Sequence, residues 1–548
     1  MPATQPRRTS WTVIRNRIAR AWSGGFALCA AFAIPAVASD IALLPQPLKM
    51  VERDGVVPST AEIRYLEDAS IPAEGYRLKV APDGIEIASS DAAGRFYAGV
   101  TLAQLRRPDG DVPCVEIEDA PAFRWRGMHL DVSRHFFGVD DVKRFLDLMA
   151  EHKLNRFHWH LTDSQGWRLD VPSHPELAAA SAKRNFRKGE DGEPWTQGDH
   201  FFYTVAEVQD ILSYAAERHI EVVPEIEFPG HFGAVLSAHP EFACVNADGK
   251  RNGWNEVCAG NDEAIALIED VLDDVCRMFP FGVIHIGGDE CSRNKWKDCP
   301  RCQARIAAEG LADEDDLQTW ISRRMVRFVE VRGKRAIGWD EYLLGGNIST
   351  NAIGMRWRSG GGAGGGPKKF QTPAEMAAAG HDLVMANGRW CYLDRQQGLP
   401  DDPHRYTFPS TPEKPQDKPL ELVYKFDPFR DIPPELRHHV LGGEGCNWTE
   451  TTPTRDVLEW KMWPRACALA ECLWCGAERK PTYEDFLRRV EVHRERLLAE
   501  GVNCAPIPPT KSGPQAGTAS SKGSDVPPVQ NGKNARSPSP TPPPPAVP

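Results

Sequence analysis

The sequence predicts an α/β protein built around a (β/α)8 (TIM) barrel, with a small α+β domain before the barrel and a disordered tail after it. Three observations support this prediction: alternating strand-like and helical stretches from about residue 120, a different pattern before that point, and a loss of apolar side chains after about residue 505. The eight candidate barrel strands are Gly127–Asp131, Arg156–Leu161, Glu221–Ile226, Val283–Ile286, Arg335–Trp339, Ala352–Met355, Asp382–Met385 and His439–Gly442.

The first element, residues 1–38, has the order of a secretory signal peptide. Five arginines precede an apolar stretch, Gly24–Val37, and small residues end it at Ala36-Val37-Ala38. This stretch is too short to span a membrane comfortably, so we expect cleavage and export to the periplasm or the extracellular space. An uncleaved anchor or a core helix is the alternative.

The second element, residues 40–119, is expected to be the small α+β domain. It contains short strand-like runs at Glu62–Tyr65, Gly75–Val80 and Ile85–Ile87, and an amphipathic helix at Ala92–Leu105. No reactive cluster is evident in it. The barrel is expected to occupy residues 120–503, with candidate helices at Val139–His152, Val205–His219 and Glu263–Met278 between its strands.

A doubly wound open sheet is the alternative to the barrel. Such sheets often carry a G-x-G-x-x-G phosphate fingerprint, and Gly360–Gly366 does not follow a strand in that pattern. Residues 505–548 are rich in Pro, Ser, Gly and Lys, and they cannot bury enough apolar surface to offset the entropy of ordering. We therefore expect this tail to be disordered.

Composition limits the classes of partner. The formal net charge of −11 argues against nucleic acid or an anionic membrane surface as the main partner. Hydrophobic residues make up 41% of the 548 positions, which is ample for a large core, and 16 tryptophans suit a protein that stacks flat, partly apolar ligands such as sugars.

Cysteines can oxidise in an exported protein. Of 14 cysteines, Cys29 lies in the signal segment, which leaves 13. Cys244 with Cys258 is the expected disulfide, and Cys299 with Cys302 is a candidate for a local one.

Cys291 is a further candidate partner for that local disulfide. A zinc site would need a second pair spaced like Cys299-x-x-Cys302, and only Cys472 and Cys475 offer that spacing. We therefore expect no metal.

The most informative segment is a buried strand, Val283–Ile286, that ends in Gly287-Gly288-Asp289-Glu290. The glycines permit a tight turn. Two adjacent carboxyls raise one of their pKa values, which keeps a general acid protonated near neutral pH. The alternative is a helix N-terminus, where Asp and Glu are favoured.

The carboxyl ends of barrel strands carry the functional groups of such folds. Acids and aromatic residues recur there, a pattern typical of a carbohydrate pocket, because carboxylates bind hydroxyls and indoles pack against pyranose rings. The polar and aromatic side chains at or beyond the predicted strand ends include Asp131, Arg134, Asp163, His231, Asp289, Glu290, Trp339, Trp357, Trp390, Tyr392, Asp394, Glu444, Trp448 and Glu450.

Four segments resemble the signature blocks of family twenty β-N-acetylhexosaminidases. They are Leu130–His135, His158–Asp163, Pro224–His231 and His285–Glu290, in the family's order, and the resemblance covers about residues 120–475. The preceding segment resembles the small α/β domain that usually comes before the family's barrel.

The resemblance implies retention of anomeric configuration without an enzymic nucleophile, because the substrate's 2-acetamido oxygen attacks the anomeric carbon and gives an oxazolinium intermediate. Glu290 would protonate the leaving oxygen and later deprotonate water. Asp289 would accept a hydrogen bond from the acetamido N–H. Asp163 and His231 resemble a relay that supports Glu290; ordinary hydrogen bonding at the rim is the alternative.

Substrate-binding positions are also implied. Arg134 resembles the arginine that binds ring hydroxyls, or it forms a salt bridge to Asp131. Glu450 resembles the acid that contacts O4 or O6, with Trp448 in the pocket wall, or it caps a loop. The other implied wall residues are Trp339, Trp357, Trp390, Tyr392 and Asp394; Tyr392 resembles the tyrosine that binds the acetamido carbonyl.

His158 and His160 share one face of their strand and are expected to be packed structural residues. Glu225 and Glu227 also share a face, and at least one is expected to support the rim without catalysing. The sequence departs from the family at Asn447, where an apolar residue is usual.

Two insertions, Gly360–Gly366 and Pro400–Pro419, are expected near the mouth of the site, and they leave the aglycone preference open. We expect an exported, exo-acting enzyme that removes terminal non-reducing β-GlcNAc or β-GalNAc from oligosaccharides or glycoconjugates. We expect no cofactor, no nucleic acid and no membrane span in the mature form.

Other functions are open. A lacto-N-biosidase-like relative would need a roomier pocket near Glu450 and Trp448. A non-catalytic glycan-binding relative would lack Asp289 or Glu290, and an endo-chitinase-like barrel would carry an acid pattern that is absent here. A metalloprotein built on His158, His160 and His231 is a further alternative.

Overall fold

The structure, a computed structural model, describes residues 41–181, 201–358, 370–399, 401–404 and 417–508. The predicted signal peptide 1–38, the glycine loop Gly360–Gly366, most of the insertion Pro400–Pro419 and most of the tail 505–548 lie outside these residues. Among the helices that are described, none combines the length and apolar character needed to cross a membrane.

The small N-terminal domain is a five-stranded sheet with the strand order β1-β5-β3-β4-β2, covered by one helix. Strands β2 and β4 pair in parallel and the other pairs are antiparallel. The elements are β1 Lys49–Pro58, β2 Ile63–Glu67, β3 Tyr76–Ala81, β4 Gly84–Ser89, α1 Ala92–Leu105 and β5 Asp111–Asp119. Two strands, β1 and β5, were not predicted; the side chains of β1 are mostly exposed and do not alternate.

Eight parallel strands form a closed barrel, as predicted, and they follow one another around the barrel in chain order. The last strand pairs with the first, with Glu444 opposite Gly127. The barrel strands are β6 Trp125–Asp131, β7 Arg156–His160, β10 Glu221–Glu225, β11 Val283–His285, β12 Arg335–Trp339, β13 Ile353–Arg356, β14 Leu383–Met385 and β15 Val440–Gly445. A small hairpin beyond β7 consists of β8 Thr162–Asp163 and β9 Gly166–Trp167.

Helices connect the strands. They begin at the capping residues that the sequence provides: a capping box of Thr204 and Glu207 starts the helix Val205–Ala216, and Asn261 caps the helix Asp262–Met278. The helices after α1 are α2 Val139–Glu151, α3 Pro175–Ser181, α4 Val205–Ala216, α5 Val235–Ala238, α6 Asp262–Met278, α7 Asn294–Lys297, α8 Pro300–Ala308, α9 Glu314–Glu330, α10 Pro373–Ala378, α11 Leu420–Tyr424, α12 Arg455–Met462, α13 Arg465–Cys475 and α14 Tyr483–Ala499, with short 3-10 turns at Pro240–Phe242, Asp340–Leu343 and Pro434–His439.

The barrel strands bury a polar cluster beside an apolar one, and two carboxylates organise the polar cluster. Glu225 accepts a hydrogen bond from the Trp339 indole at 2.7 Å, and its oxygens also lie 3.0 Å from His158 Nε2 and 2.8 Å from His285 Nδ1, with His160 Nδ1 in contact. Glu444 contacts His158 Nδ1 at 2.6 Å. We call this group the barrel floor.

The structure corrects the predicted disulfides. All thirteen cysteines that it describes are free and buried. Cys244 Sγ lies 3.7 Å from Cys302 Sγ, and Cys258 Sγ lies 3.6 Å from the sulfurs of both Cys299 and Cys302. The two predicted pairs have merged into one four-cysteine cluster, because the segments that follow β10 and β11 run side by side.

Candidate active site

The predicted site residues meet at the rim formed by the carboxyl ends of β6, β7, β10 and β11. Asp131 ends β6, and Asp163 lies in the hairpin directly after β7. His231 follows β10, and Asp289 with Glu290 follows β11. Since all barrel strands are parallel, these ends lie at one face of the barrel, where sites of this fold are built.

The backbone of the turn after β11 explains its two glycines. Gly287 and Gly288 have φ values of +63° and +105°, and a Cβ on Gly287 would lie 2.1 Å from Glu227 Oε2. Glu290 and His231 also have positive φ, at +46° and +51°. Two non-glycine residues in this uncommon conformation at one site indicate backbone held in place by its surroundings for the sake of side-chain position.

A chain of charged contacts links the rim residues. His231 Nδ1 lies 3.2 Å from Asp163 Oδ1. On its other side, His231 Nε2 lies 3.6 Å from Asp289 Oδ2 and 3.5 Å from Glu290 Oε2. Asp163 and His231 are therefore in contact, and His231 in turn lies close to the carboxyls of both Asp289 and Glu290.

Charge is distributed unevenly along this chain. Burial acts to raise the pKa of Asp163, but the nearby Arg134 guanidinium and His231 imidazole hold it well below its usual range. Burial acts to lower the pKa of His231, but Asp163 and then Asp289 raise it well above its usual value. His231 is thus a cation at neutral pH, facing the Asp289–Glu290 pair.

The adjacent pair has one raised pKa, but it is not that of the residue assigned as the acid. Burial, together with the carboxylates of Glu341 and Glu290, raises the pKa of Asp289 to about 7, against the opposing effect of His231. The contact with His231 lowers the pKa of Glu290, whose side chain is 59% exposed. The difference arises because Asp289 is buried and Glu290 reaches into the opening.

Arg134 lies beside this pair and forms the salt bridge to Asp131 that was one of the two alternatives for it. Its guanidinium donates to Asp163 at 2.6 Å, to Asp131 at 3.3 Å and to Gln165 at 3.0 Å. Its central carbon lies 5.0 Å from the ring centre of Trp448. The salt bridge to Asp131 is therefore real, and it fixes Arg134 in the rim.

Glu450 is half-buried and close enough to Arg134 to interact with it electrostatically. Burial raises the pKa of Glu450, and Arg134 opposes that effect. Asp394 is buried, and its pKa is also raised by burial. Its Oδ1 has no hydrogen-bond partner within the described part of the chain, while Oδ2 lies 3.3 Å from Arg395 Nε.

Three of the predicted aromatic residues pack against one another at the rim. The rings of Trp357 and Tyr392 stack at 6.4 Å with an angle of 14°, and the Tyr392 ring lies 6.2 Å from that of Trp448. Trp339 lies beneath them, 5.7 Å from Trp448 and only 1% exposed. It forms the base of the group rather than an open wall.

Trp390 lies apart from this group. Its half-buried ring packs against the main hydrophobic core, and the guanidinium carbons of Arg430 and Arg389 lie 4.9 and 5.4 Å from its centre. The structure thus brings together Trp339, Trp357, Tyr392 and Trp448 but does not add Trp390 to them.

Sequence analysis assigned no role to Glu341 and Arg358, which support the pair from the side. Glu341 accepts hydrogen bonds from the Glu290 amide at 3.3 Å and from the Trp357 indole at 2.9 Å, and it also pairs with Arg358. The signal was available, because Asp340-Glu341 is a second adjacent acid pair directly after a buried strand.

Glu227 is one of the two glutamates of which at least one was expected to support the rim without catalysing. It is buried, and neither of its carboxyl oxygens has a hydrogen-bond partner among the residues described. Burial and the nearby carboxylate of Asp289 raise its pKa well above the usual value. Glu227 lies under the Gly287 turn, and this shift favours its protonated, uncharged form.

Comparison with known proteins places this geometry in a family. The glycosyl hydrolase family 20 catalytic-domain model matches residues 123–477, and the family's domain 2 model matches residues 36–120. A beta-hexosaminidase of Porphyromonas gingivalis is 38% identical over 482 residues, which is 84% of this chain and 58% of that protein. A beta-hexosaminidase of Akkermansia muciniphila is 31% identical, covering 87% of this chain and 94% of that one.

A solved structure is also similar over most of its length. The GH20 exo beta-N-acetylglucosaminidase of Vibrio harveyi, in complex with N-acetylglucosamine, has a TM-score of 0.73 at 27% identity, covering 88% of this chain and 81% of that one. With the closed barrel and the small domain before it, these matches confirm the resemblance found in the sequence. The chain belongs to glycosyl hydrolase family 20 and is a glycoside hydrolase of the β-N-acetylhexosaminidase type.

Proposed function

We propose that the protein is an exo-acting enzyme that removes terminal non-reducing β-GlcNAc or β-GalNAc with retention, using the substrate's own acetamido group as nucleophile. The observation that carries the proposal is the state of Asp289. Its Oδ1 is buried at the rim, has no hydrogen-bond partner in the described residues, and lies beside the exposed carboxyl of Glu290.

A buried carboxyl oxygen without a donor is destabilising by about 1–3 kcal/mol unless a ligand supplies the hydrogen bond. The N–H of a 2-acetamido group is a donor of the right kind. When it donates to Asp289, the carboxylate holds the acetamido group in one orientation and offsets the positive charge that develops on the oxazolinium ring.

The pKa values of Asp289 and Glu290 are consistent with a proton that moves from one carboxyl to the other when substrate binds. In the ligand-free protein below about pH 7, the pKa of Asp289, the pair holds one proton, on Asp289. A donor at Asp289 favours its ionised form, and a sugar that covers Glu290 removes water from it and raises its pKa. Substrate binding therefore moves the proton to Glu290, where the leaving oxygen needs it.

Two steps follow in this scheme. As the acetamido oxygen bonds to the anomeric carbon, the bond to the leaving oxygen breaks and that oxygen takes the proton of Glu290. Water then attacks the anomeric carbon, the oxazolinium ring opens, and Glu290 takes a proton from the water. Two inversions at one carbon give net retention.

Surrounding residues position these groups. Asp163 and His231 support Glu290, because the charged imidazole lies between Asp163 and the adjacent pair. Arg134 and Glu450 are placed to bind sugar hydroxyls. The rim aromatics Trp357, Tyr392 and Trp448, with Trp339 beneath them, surround the acetamido group and one face of the ring. Asp394 lies two residues after Tyr392, and Trp390 lies outside this group.

We also propose that the protein is exported, and that its substrates are oligosaccharides or glycoconjugates ending in β-N-acetylhexosamine. The charge, apolar core and small-residue order of residues 1–38 supports export. Fractionation of cells that express the full chain tests this: we expect the mature mass outside the cytoplasm, shortened by that segment. The full-length mass in the cytoplasm would contradict it.

The experiment that tests the reaction compares aryl β-GlcNAc, aryl β-GalNAc and aryl β-glucoside at equal concentration. We expect turnover of the first two and almost none of the glucoside, which has no acetamido group. NAG-thiazoline, which mimics the cyclised intermediate, should inhibit strongly, and proton NMR should show the β-anomer as the first product. Equal turnover of the glucoside, or an α-anomer as the first product, would rule the scheme out.

A further inference from the structure

The four-cysteine cluster, Cys244, Cys258, Cys299 and Cys302, is built like a metal site. All four side chains are buried, and their sulfur atoms lie within 4.8 Å of one another. The three closest sulfur pairs are separated by 3.6 to 3.7 Å. Four Zn–S bonds of 2.3 Å at tetrahedral angles would place the sulfurs about 3.8 Å apart, which is close to these separations.

The cysteines come from two chain segments that hydrogen bonds hold together without any sulfur. Within the first, Ala243 pairs with Val257 as an antiparallel bridge. Donors of the second segment bind the first, among them the Trp296 indole to the Val257 carbonyl at 2.9 Å and the Arg301 guanidinium to the Ala243 carbonyl at 2.6 Å.

Backbone packing between the segments is equally close. A Cβ on Gly260 would lie 2.2 Å from the Arg301 carbonyl, so only glycine fits there. The spacing Cys299-x-x-Cys302 at the start of α8 is the spacing of zinc knuckles. The second pair is Cys244 with Cys258, not the Cys472 and Cys475 that sequence spacing suggested, which lie together on α13.

These two segments also reach the active site. The first donates from the Val257 amide to the Pro229 carbonyl at 3.1 Å, and the Asn255 carbonyl accepts from the Phe232 amide at 2.8 Å, so it holds both flanks of His231. The second segment begins at Cys291, directly after Glu290. The cluster therefore joins the loop that carries His231 to the segment that continues from Glu290.

We propose that Cys244, Cys258, Cys299 and Cys302 bind one zinc ion, which fixes these two loops relative to each other. On binding, four thiols lose their protons and each sulfur donates an electron pair to the metal. The zinc takes no part in hydrolysis, because it has four protein ligands and no open position. This proposal departs from the sequence prediction of no metal.

Two other states of four neighbouring cysteines are possible, and both make different predictions. Two disulfides would bring sulfurs to about 2.05 Å and would leave no ligand for a metal. Four packed thiols would behave as small buried hydrophobic groups and bind nothing. Neither state requires all four sulfurs to lie within 4.8 Å of one another, as they do here.

Metal analysis of the purified full chain, prepared without added metal or chelator, tests the proposal. We expect about one zinc per chain by mass spectrometry of the elements, and every cysteine reactive as a free thiol after denaturation with chelator. Cys299→Ser should lose most of the zinc. Its matched control is Cys276→Ser, a buried cysteine on α6 outside the cluster, which should keep it.

If Cys299→Ser does not fold, the wild-type protein still gives an answer. An organomercurial that binds thiolates should release zinc to a chelating dye, and the melting temperature should fall as the zinc leaves. Protein grown with cobalt should show the visible absorption of tetrahedral cobalt bound to four thiolates. Zinc far below one per chain, iron in its place, or a mass that shows two disulfides would overturn the proposal.

Discussion

The barrel floor and the active-site rim are both built from carboxylates and imidazoles, yet their hydrogen bonding differs. On the floor, Glu225 is surrounded by four donors or imidazoles, and Glu444 contacts His158 and the Trp125 indole at 2.6 and 3.1 Å. At the rim, the described residues leave Asp289 Oδ1 without a partner and Glu290 largely exposed.

The pKa values separate the two regions in the same way. Burial alone would lower the pKa values of the floor histidines, but the carboxylates of Glu444 and Glu225 raise that of His158 to about 9, and Glu225 and Asp163 raise that of His160 to about 10. These groups keep one charge state across the physiological range. At the rim, the pKa of Asp289 is about 7, so its charge can change during a reaction.

The comparison teaches that a buried polar cluster is not by itself a functional site. A cluster whose carboxylates are enclosed by donors stabilises the fold, whereas a cluster with an unpartnered carboxyl oxygen beside an opening is arranged for a ligand. Substitutions in the rim should therefore reduce activity and leave stability unchanged. Substitutions in the floor should act mainly by reducing stability.

The largest expected effect is that of Glu290→Gln. The amide cannot give a proton to the leaving oxygen, so we expect kcat to fall by roughly 10²- to 10⁴-fold. The melting temperature should stay within about a degree of wild type, because the side chain is exposed. Hydrolysis of aryl β-GlcNAc and a thermal melt measure the two quantities.

The control for this variant is Glu495→Gln, an exposed carboxylate on α14. It should leave both activity and stability unchanged. Wild-type activity in Glu290→Gln would show that another group protonates the leaving oxygen, and the distinction drawn between rim and floor would lose its main support.

Glu225→Gln tests the floor. Removing this carboxylate takes away the partner that the buried charges of His158 and His160 share, although Glu444 and Asp163 stay in contact with them. Breaking a buried ion pair in this way costs about 3–5 kcal/mol. We expect urea-induced unfolding to shift to much lower denaturant concentration. Glu221→Gln, at the exposed start of the same strand, is the matched control and should unfold like wild type.

The same division between rim and floor separates what could be predicted from the sequence alone from what could not. The barrel strands were found because their apolar runs end in polar side chains, and Asp289 and Glu290 were found because two acids follow two glycines. Both signals are local. The floor was only partly foreseen: His158 and His160 were expected to be structural, but the contacts of Glu225 and Glu444 with them depend on strand register.

Other features depended on distance in three dimensions. Nothing in the sequence shows that Trp390 points toward Arg430, or that Cys244 and Cys258 meet Cys299 and Cys302. The direction of each pKa shift in the Asp289–Glu290 pair was equally hidden, because it depends on which carboxyl is buried and on where His231 lies.

The pH dependence of kcat/KM is the next prediction. The free enzyme needs one proton on the Asp289–Glu290 pair, and the pair loses it as pH rises through about 7, the pKa of Asp289. We expect kcat/KM to be flat just below this pH and to fall about tenfold per pH unit well above it.

Asp289→Asn sharpens this test. It removes the shared site, so the descending limb should move to lower pH, because the remaining carboxyl, Glu290, has a lowered pKa. A profile that stays flat to pH 9 in the wild type would show that the pair does not control the reaction.

The smallest expected effect separates a tryptophan of the rim from one outside it. Trp357 stacks on Tyr392 and donates to Glu341 at 2.9 Å, so Trp357→Ala should weaken sugar binding by about 1–2 kcal/mol and raise KM roughly tenfold. Trp390 packs away from this group, so Trp390→Ala should change KM by less than about twofold and act mainly on stability. Steady-state kinetics and thermal melts of the two variants measure the difference, and a larger change of KM in Trp390→Ala would place that ring in the sugar pocket.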